Sequence, residues 1–322
     1  MEVLTAFDVC KAYGNRMVLD HMAFDLKKGE IHAILGRNGA GKTTFIKILS
    51  ALLAKDSGAV RIGGYDIDRD PVRIRRLIGY VGQDTERSAY ARLTARENLL
   101  FFGRLRGMKE DQIRTRITNM STDLGFQDKL DTPFMHLSGG QKQTMVIMRA
   151  LLHEPMIVYL DEPTKGLDPL VSAQVRNCLK DYARNKGKSI LLTSHILSEV
   201  EDLSDRVSLM RHGARIQSGT VLELRKQAKA SEFIDMPKSD LPAATQDRLS
   251  QLPQVAFVTE REDGAVLSYG VYQVWEGMEA ILQVLREDDV RATFRHRSLA
   301  LEDLFVMLLG EKEEDSLERA RA

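Results

Sequence analysis

The chain has 322 residues, with 46 Lys plus Arg against 46 Asp plus Glu and a formal net charge of zero. Its 43% apolar and 29% charged residues are those of a soluble globular protein, and its length predicts about two domains. The neutral balance argues against a protein that coats nucleic acid through bulk charge. No apolar run reaches the ~18–20 residues that span a bilayer. Met1-Glu2-Val3 lacks the basic and apolar regions of a secretory leader. Cys10 and Cys178 are too few and too scattered for a disulfide frame or a metal site, so both read as reduced packing residues of a cytoplasmic protein.

Residues 6–9 read as a strand, and residues 11–15 as a turn. Residues 18–26 alternate apolar and polar, as an antiparallel strand with one wet face does. Ile31–Leu35 is a short apolar strand, and residues 43–53 carry apolar side chains at helical spacing. Ile78–Val81 and residues 157–160, 190–193 and 206–210 are further buried-strand candidates, with helices between them. That alternation predicts an α/β fold with a mainly parallel, covered sheet. Residues 86–152 break the rhythm with helical patterns and predict a helical subdomain.

Past the first 225 residues, the basic stretch 225–229 reads as a linker. Strands follow near 233–236, 255–260, 265–269 and 290–296, with helices near 241–252, 274–286 and 301–309. Strand-helix-strand-strand-helix-strand is the order of a ferredoxin-like domain, expected over 231–310. Residues 311–322 read as a charged tail.

Gly36-Arg37-Asn38-Gly39-Ala40-Gly41-Lys42-Thr43 fits the G-x-x-x-x-G-K-[ST] phosphate loop. It lies between an apolar strand and an amphipathic helix, where that chemistry requires it. Glycines let successive N–H groups turn toward phosphate oxygens, and the helix N-terminus faces the same anion. Gly36, Asn38, Gly39, Ala40, Gly41, Lys42, Thr43 and Thr44 are the candidate phosphate ligands. Lys42 is expected on the β- and γ-phosphates and Thr43 on Mg²⁺. The apolar run 157–160 ends in Asp161-Glu162. A central strand would bring Asp161 beside the loop to bind Mg²⁺ through water, and Glu162 within reach of an attacking water as general base.

Leu137-Ser138-Gly139-Gly140-Gln141 stands between these two motifs and opens a helical run. This pentapeptide resembles the signature of ATP-binding-cassette ATPases. Further motifs of that family follow its order. Tyr13 resembles the aromatic that stacks on adenine, Gln83 the Q-loop glutamine, Asp168 in Gly166-Leu167-Asp168-Pro169 the D-loop, and His195 the switch histidine. The resemblance covers residues 1–225. It implies a P-loop NTPase core of RecA type, with an antiparallel β subdomain and a helical subdomain. It also implies ATP and Mg²⁺ as cofactors, with Thr43, Gln83 and Asp161 at the metal and Glu162, His195 and Gln83 in catalysis. Two cassettes, identical or paralogous, would pair head to tail, so that Ser138, Gly139, Gly140 and Gln141 of one cap the ATP of the other and Asp168 bridges the seam. His21, His32, His136, His153, His212 and His296 lack such a context and read as ordinary surface or core residues. Met145, Ile147 and Met148 read as core. Lys165, Lys142 and Thr144 depart from common family residues and are expected to stay clear of the chemistry.

A cassette of this family without membrane segments works with separate integral-membrane permease subunits at the cytoplasmic face of a membrane. The segment after the Q-loop resembles the permease-docking groove. There Arg87, Arg92, Arg96, Arg104 and Arg106 face only Glu97, which suits either a solvated face or an acidic or lipid partner. Leu299-Ala300-Leu301-Glu302-Asp303-Leu304-Phe305 is similar to the closing motif of daunorubicin-resistance-type exporter ATPases, with Ser298 expected to cap its helix in place of Ala300. This favours the ATPase of an exporter of a drug, antibiotic, lipid or polysaccharide precursor. Alternatives are an importer ATPase with an effector-binding tail and a soluble regulatory ATPase. No part for nucleic acid is expected.

Overall fold

The computed structural model describes residues 1–85, 88–227, 232–261 and 264–310. Its contacts divide the chain into two units, Met1–Ser218 and Gly219 onward. Expectations resting on Arg87, on residues 228–229 of the linker and on the tail 311–322 lie outside the described residues.

The first unit opens with a long hairpin, β1 (Glu2–Tyr13) and β2 (Arg16–Lys27). Residues 11–13, expected in a turn, instead continue β1, because Lys11, Ala12 and Tyr13 pair with Leu19, Met17 and Arg16. Only Gly14, at φ 59°, and Asn15 make the turn. β3 (Ile31–Leu35) leads into helix α1 (Lys42–Leu49). After β4 (Ser57–Ile62) and β5 (Tyr65–Asp66), helix α2 (Pro71–Leu77) runs straight into β6 (Ile78–Val81). Strands β2-β1-β4-β5 form one antiparallel sheet.

Helices α3 (Ala95–Leu105), α4 (Glu110–Asp123) and α5 (Gly139–Leu151) occupy the stretch read as helical. α3 and α5 each begin with a reciprocal capping box, Thr94 with Glu97 and Ser138 with Gln141. Met145, Ile147 and Met148 are fully buried, as their spacing predicts. Then come β7 (Ile157–Asp161), α6 (Pro169–Arg184), β8 (Ser189–Thr193), α7 (Leu197–Leu203), β9 (Arg206–Arg211) and β10 (Ala214–Gly219).

The second sheet has the order β10-β9-β3-β8-β7-β6, with β9, β3, β8, β7 and β6 paired in parallel. Every residue of β3, β7 and β8 is buried, so these strands read as near-continuous apolar runs rather than alternating ones. A parallel order with helical crossovers brings the C-terminal ends of β3, β7 and β8 to one edge, where α/β sheets bind ligands.

The basic cluster after the Q-loop is partly neutralised from outside its own span. Arg96 pairs with Asp131 and Arg104 with Glu110, each at 2.7 Å. Glu97, the acid expected to face the arginines, is used in the capping box of α3 with Thr94.

The second unit begins with α8 (Val221–Lys226), started by a capping box of Thr220 and Glu223; its last two residues, Arg225 and Lys226, were expected in the linker. β11 (Glu232–Pro237), α9 (Ala243–Ser250), β12 (Val255–Glu260), β13 (Val266–Val271), α10 (Val274–Glu287), β14 (Arg295–Ser298) and α11 (Leu301–Gly310) follow. The four strands form an antiparallel sheet of order β12-β13-β11-β14. Its core holds Ile234, Met236, Leu249, Tyr269 and Ile281.

The last strand starts later than the sequence suggests, at Arg295 rather than near 290. Val290 is spent closing α10, its N–H donating to Leu285 O. Ser298 does not cap α11; its hydroxyl donates to Glu232 instead. The Asp303 carboxylate accepts from Ala300 N–H at 2.9 Å and from the Arg297 guanidinium, whose Nε also donates to buried Asp235. The Leu-Glu-Asp stretch thus ties the start of its helix to β14 and β11.

Among the described residues no helix is long and apolar enough to cross a membrane. His32 of β3 is fully buried against Ser208 of β9, at 2.9 Å. Burial first, and then the charge of Arg206, push its imidazole from 6.5 down to about 3. The folded protein keeps His32 neutral while the unfolded chain takes up a proton below pH 6.5. Stability is therefore complete above pH 6.5 and is lost as pH falls toward about 3, by up to about 1.4 kcal/mol per pH unit from this residue. Urea unfolding above and below pH 6.5 checks this: His32→Gln flattens the decline, and an unchanged slope would rule out His32 as its source.

Candidate nucleotide site

The loop from β3 to α1 owes its path to three glycines. A Cβ on Gly36 would stand 2.3 Å from Met210 O, and one on Gly41 2.6 Å from Val18 O. Gly39 and Gly41 have φ of 82° and 101°, a region that favours glycine. Gly41 is the N-cap of α1, so the helix dipole and its free N–H groups face the loop's interior.

Lys42 folds back over this loop, its Nζ donating to Gly36 O at 2.6 Å and Arg37 O at 3.2 Å. Burial lowers the pKa of its ammonium, and the charges of Asp161 and Glu162 oppose that shift. The next residue, Thr43, donates its hydroxyl to Asp161 Oδ2 at 2.9 Å. Gln83, just past β6, reaches the same hydroxyl from Nε2 at 3.5 Å.

Asp161 ends β7 and is 2% exposed. Its other oxygen accepts from Thr193 Oγ1, at the end of β8, at 2.5 Å. Both carboxylate oxygens are therefore hydrogen-bonded. Glu162 follows with φ 56°, a left-handed conformation for a non-glycine residue. Its N–H donates to Thr193 O at 3.1 Å, which anchors the turn. Such a backbone costs about 1–3 kcal/mol and persists where its surroundings impose it. It aims the buried Glu162 carboxylate at His195, whose Nε2 is 2.7 Å from Oε1. Lys165 Nζ lies 3.2 Å from the other oxygen. This corrects the expectation that Lys165 stays clear of the chemistry: its N–H donates to Glu162 O in a tight turn, which carries its side chain back alongside the acid.

Asn38, Gly39, Ala40, Gly41, Lys42, Thr43, Thr44, Gln83, Glu162 and His195 line one cleft of about 320 Å³ together with Arg16 and Val18. Asp161 stands behind it through Thr43, and Gly36 beneath it through Lys42. Sequence reasoning missed Arg16, Thr193 and Lys165. Only the hairpin register brings Arg16 to the loop, and no local pattern marks any of the three.

The remaining candidates are not brought to this cleft. Tyr13 sits exposed at the hairpin end, paired with Arg16 and with Lys11 Nζ 5.8 Å from its ring centre. Ser138 caps α5, its hydroxyl accepting from Gln141 N–H at 3.3 Å while Gln141 Oε1 accepts from Ser138 N–H at 3.0 Å. Gly139 has open space around it, and a Cβ on Gly140 would meet Leu167 at 3.3 Å and Gly166 O at 3.5 Å. One turn on, buried Gln143 donates to Pro163 O at 3.1 Å. Asp168 caps α6, accepting from Leu170 and Val171 N–H. None of these six candidates lines the cleft.

A glycine-rich loop ending at a helix N-terminus, a lysine, a hydroxyl and a hydrogen-bonded carboxylate suit the phosphates of a nucleotide. The ABC transporter family profile matches residues 19–165. Over 318 residues the chain is 33% identical to the Nod factor export ATP-binding protein I of Paraburkholderia xenovorans (strain LB400), covering 98% of this chain and 99% of that one. It is 31% identical over 306 residues to the daunorubicin/doxorubicin resistance ATP-binding protein DrrA of Streptomyces peucetius, covering 95% and 92%. Among solved structures, an ATP-binding subunit of an ABC transporter superposes with a TM-score of 0.65 at 31% identity, over 70% of this chain and 92% of that one. A dimeric cassette in a post-hydrolysis state with ADP and Pi gives 0.62 at 26% identity, over 68% and 98%. The chain belongs to the ATP-binding proteins of ABC transporters. It is an ATPase cassette of a class that dimerises and works with a membrane permease.

Thr193→Val removes one of the two hydrogen bonds to buried Asp161 while keeping the side-chain shape. We expect a loss of about 1–3 kcal/mol in urea unfolding, the penalty of an unsatisfied buried acceptor. A loss below the error of the fit would mean that Thr193 does not support Asp161.

Proposed function

We propose that this cleft binds MgATP and that the chain is the ATP-hydrolysing subunit of an exporter at the cytoplasmic face of a membrane. The observation that carries this reading is the convergence of Lys42, Thr43, Glu162 and His195, from the β3-α1 loop and the ends of β7 and β8, on one cleft, with Asp161 behind it on Thr43. Gly36–Thr44 would hold the phosphates, with Lys42 on the β- and γ-phosphates. Thr43, Asp161 and Gln83 would hold Mg²⁺, which supplies charge neutralisation at the phosphates. Glu162 would accept the proton of the attacking water. His195, whose Nε2 lies 2.7 Å from Glu162 Oε1, would orient that carboxylate and stabilise charge at the γ-phosphate.

Ser138, Gly139, Gly140, Gln141 and Asp168 lie on other surfaces of the same unit, and Gly139 is open. This supports a head-to-tail pair, in which the signature of one subunit completes the site of the other and Tyr13 stacks on the adenine. The partner cassette would be a second copy or a paralogue. The substrate would be a drug, antibiotic, lipid or polysaccharide precursor. What supports export is coverage: exporter and resistance proteins align along nearly the whole chain, second unit included. For that unit we propose a ferredoxin-like accessory domain, supported by its strand order and alternating helices. The reading has no part for nucleic acid.

Glu162→Gln keeps the contacts to Lys165 and His195 but loses the base. It should bind ATP with unchanged affinity, lose at least a hundredfold in turnover, and accumulate as an ATP-bound dimer on size exclusion. Wild-type turnover would remove Glu162 from the base role, and a monomer at saturating ATP would overturn the head-to-tail pair. Lys42→Ala should weaken ATP binding itself at least tenfold, and unchanged affinity in a fluorescent-nucleotide titration would overturn the phosphate-loop assignment. Purification of the chain from native membranes checks the exporter reading by the permease that accompanies it.

A further inference from the structure

The hairpin of β1 and β2 is irregular at one place. Between the pairs Val9↔Met22 and Lys11↔Leu19, β1 contributes one residue, Cys10, and β2 contributes two, Asp20 and His21. A bulge of this kind re-aims side chains, and His21 takes φ 48° to form it. A second bulge lies next to it. Between Ala6↔Phe24 and Val9↔Met22, Phe7 and Asp8 oppose Ala23 alone, and Asp8 takes φ 56°. Two neighbours hold the double bulge. Gly58 of β4 passes so close that a Cβ there would stand 2.2 Å from Asp8 O, and Asp20 N–H donates to Gly213 O at 3.1 Å.

The result is a convergence of side chains that a regular strand pair would keep apart. A ligand atom from each of Cys10, Asp20 and His21 lies within 4.8 Å of the other two. His21 Nε2 is 3.7 Å from Asp20 Oδ1, and Cys10 Sγ accepts from His21 N–H at 3.4 Å. Asp8 is on the opposite side of the imidazole, hydrogen-bonded to Nδ1. A carboxylate at Nδ1 fixes the tautomer that leaves the Nε2 lone pair free, the arrangement that supports metal-bound histidines.

We propose that Cys10, Asp20 and His21 form a binding site for a borderline-soft divalent transition ion of the Zn²⁺ class, with Asp8 positioning His21. The donors decide the class: thiolate and imidazole suit Zn²⁺ and Co²⁺ and disfavour Mg²⁺. Ligand distances of about 2.0–2.3 Å from the ion put tetrahedral neighbours about 3.3–3.7 Å apart, close to the spacing of Asp20 and His21. Three protein ligands leave a fourth position for water. Asp20 and His21 are exposed and Cys10 half-buried, so an ion enters without unfolding the strands and exchanges with solution. This assignment displaces the reading of Cys10 as a packing residue and of His21 as an ordinary surface histidine. It is independent of the phosphate-loop chemistry, whose ligands are oxygens.

The test is a Co²⁺ titration of the full chain, reduced, stripped with EDTA and free of nucleotide. Cobalt at an oxygen-lined phosphate site cannot give a thiolate charge-transfer band, so that band reports a cysteine, and the two Cys→Ser variants say which. We expect one equivalent to produce the band with tetrahedral d–d absorption, and Zn²⁺ but not Mg²⁺ to erase both. Cys10→Ser should abolish the band and Cys178→Ser should leave it. Asp8→Asn should weaken the affinity at least tenfold. No band at millimolar Co²⁺, or a band that survives Cys10→Ser, would overturn the site. Unchanged affinity in Asp8→Asn would overturn the part assigned to Asp8. If Cys10→Ser does not fold, protection settles the matter on the wild-type chain. Zn²⁺ should then slow maleimide labelling of Cys10 at least tenfold, read by peptide mass, and equal labelling with and without Zn²⁺ would overturn the proposal.

Discussion

A single buried carboxylate organises the first unit. Asp161 sits at the end of β7 with one oxygen on Thr43 and the other on Thr193. It thereby joins the first turn of α1, the end of β7 and the end of β8 at one point. A buried carboxylate is tolerated only where its oxygens are hydrogen-bonded or paired. The phosphate loop and the edge of the parallel sheet are consequently positioned by the same requirement. Lys42 has a related constraint. Burial works against its charge, and the nearby acids and the Gly36 and Arg37 carbonyls offset that burial.

Next to this fixed point the structure holds a strained one. Glu162 is left-handed, anchored through its N–H to Thr193 and flanked by His195 and Lys165. The strain re-aims the acid away from the line of β7 and into the cleft. Thr193 therefore acts twice, holding Asp161 with its hydroxyl and Glu162 with its carbonyl.

The phosphate loop, the Asp161-Glu162 strand end and the buried runs of β3, β7 and β8 were legible because their signals are local. Each is a short string whose physics depends on neighbours in sequence. The cap of α11 was misread for the opposite reason. Ser298 is a good capping residue, but its cross-strand partner Glu232 takes its hydroxyl, while Asp303 reaches back to Ala300 N–H. Lys165 was misjudged because its contact depends on the sharp turn at Glu162, which an acidic residue does not advertise. The charge excess around α3 is smaller than the window suggests, since Asp131 and Glu110 come from outside it. Arg16 at the cleft and the pairing of Cys10 with Asp20 and His21 depend on register. One extra residue in β2 changes which side chains meet, and no periodicity records it.

The contacts behind α5 have a mechanical consequence. Gly140 lies against Gly166 and Leu167, and Gln143 is bonded to Pro163 O. Pro163 directly follows Glu162, and Lys165 returns to it. The first turn of α5 and the loop after β7 are thus clutched together, with little slack for sliding. The few residues of backbone that anchor that helix end also set the direction of the Glu162 carboxylate, so one surface and the cleft share a single footing.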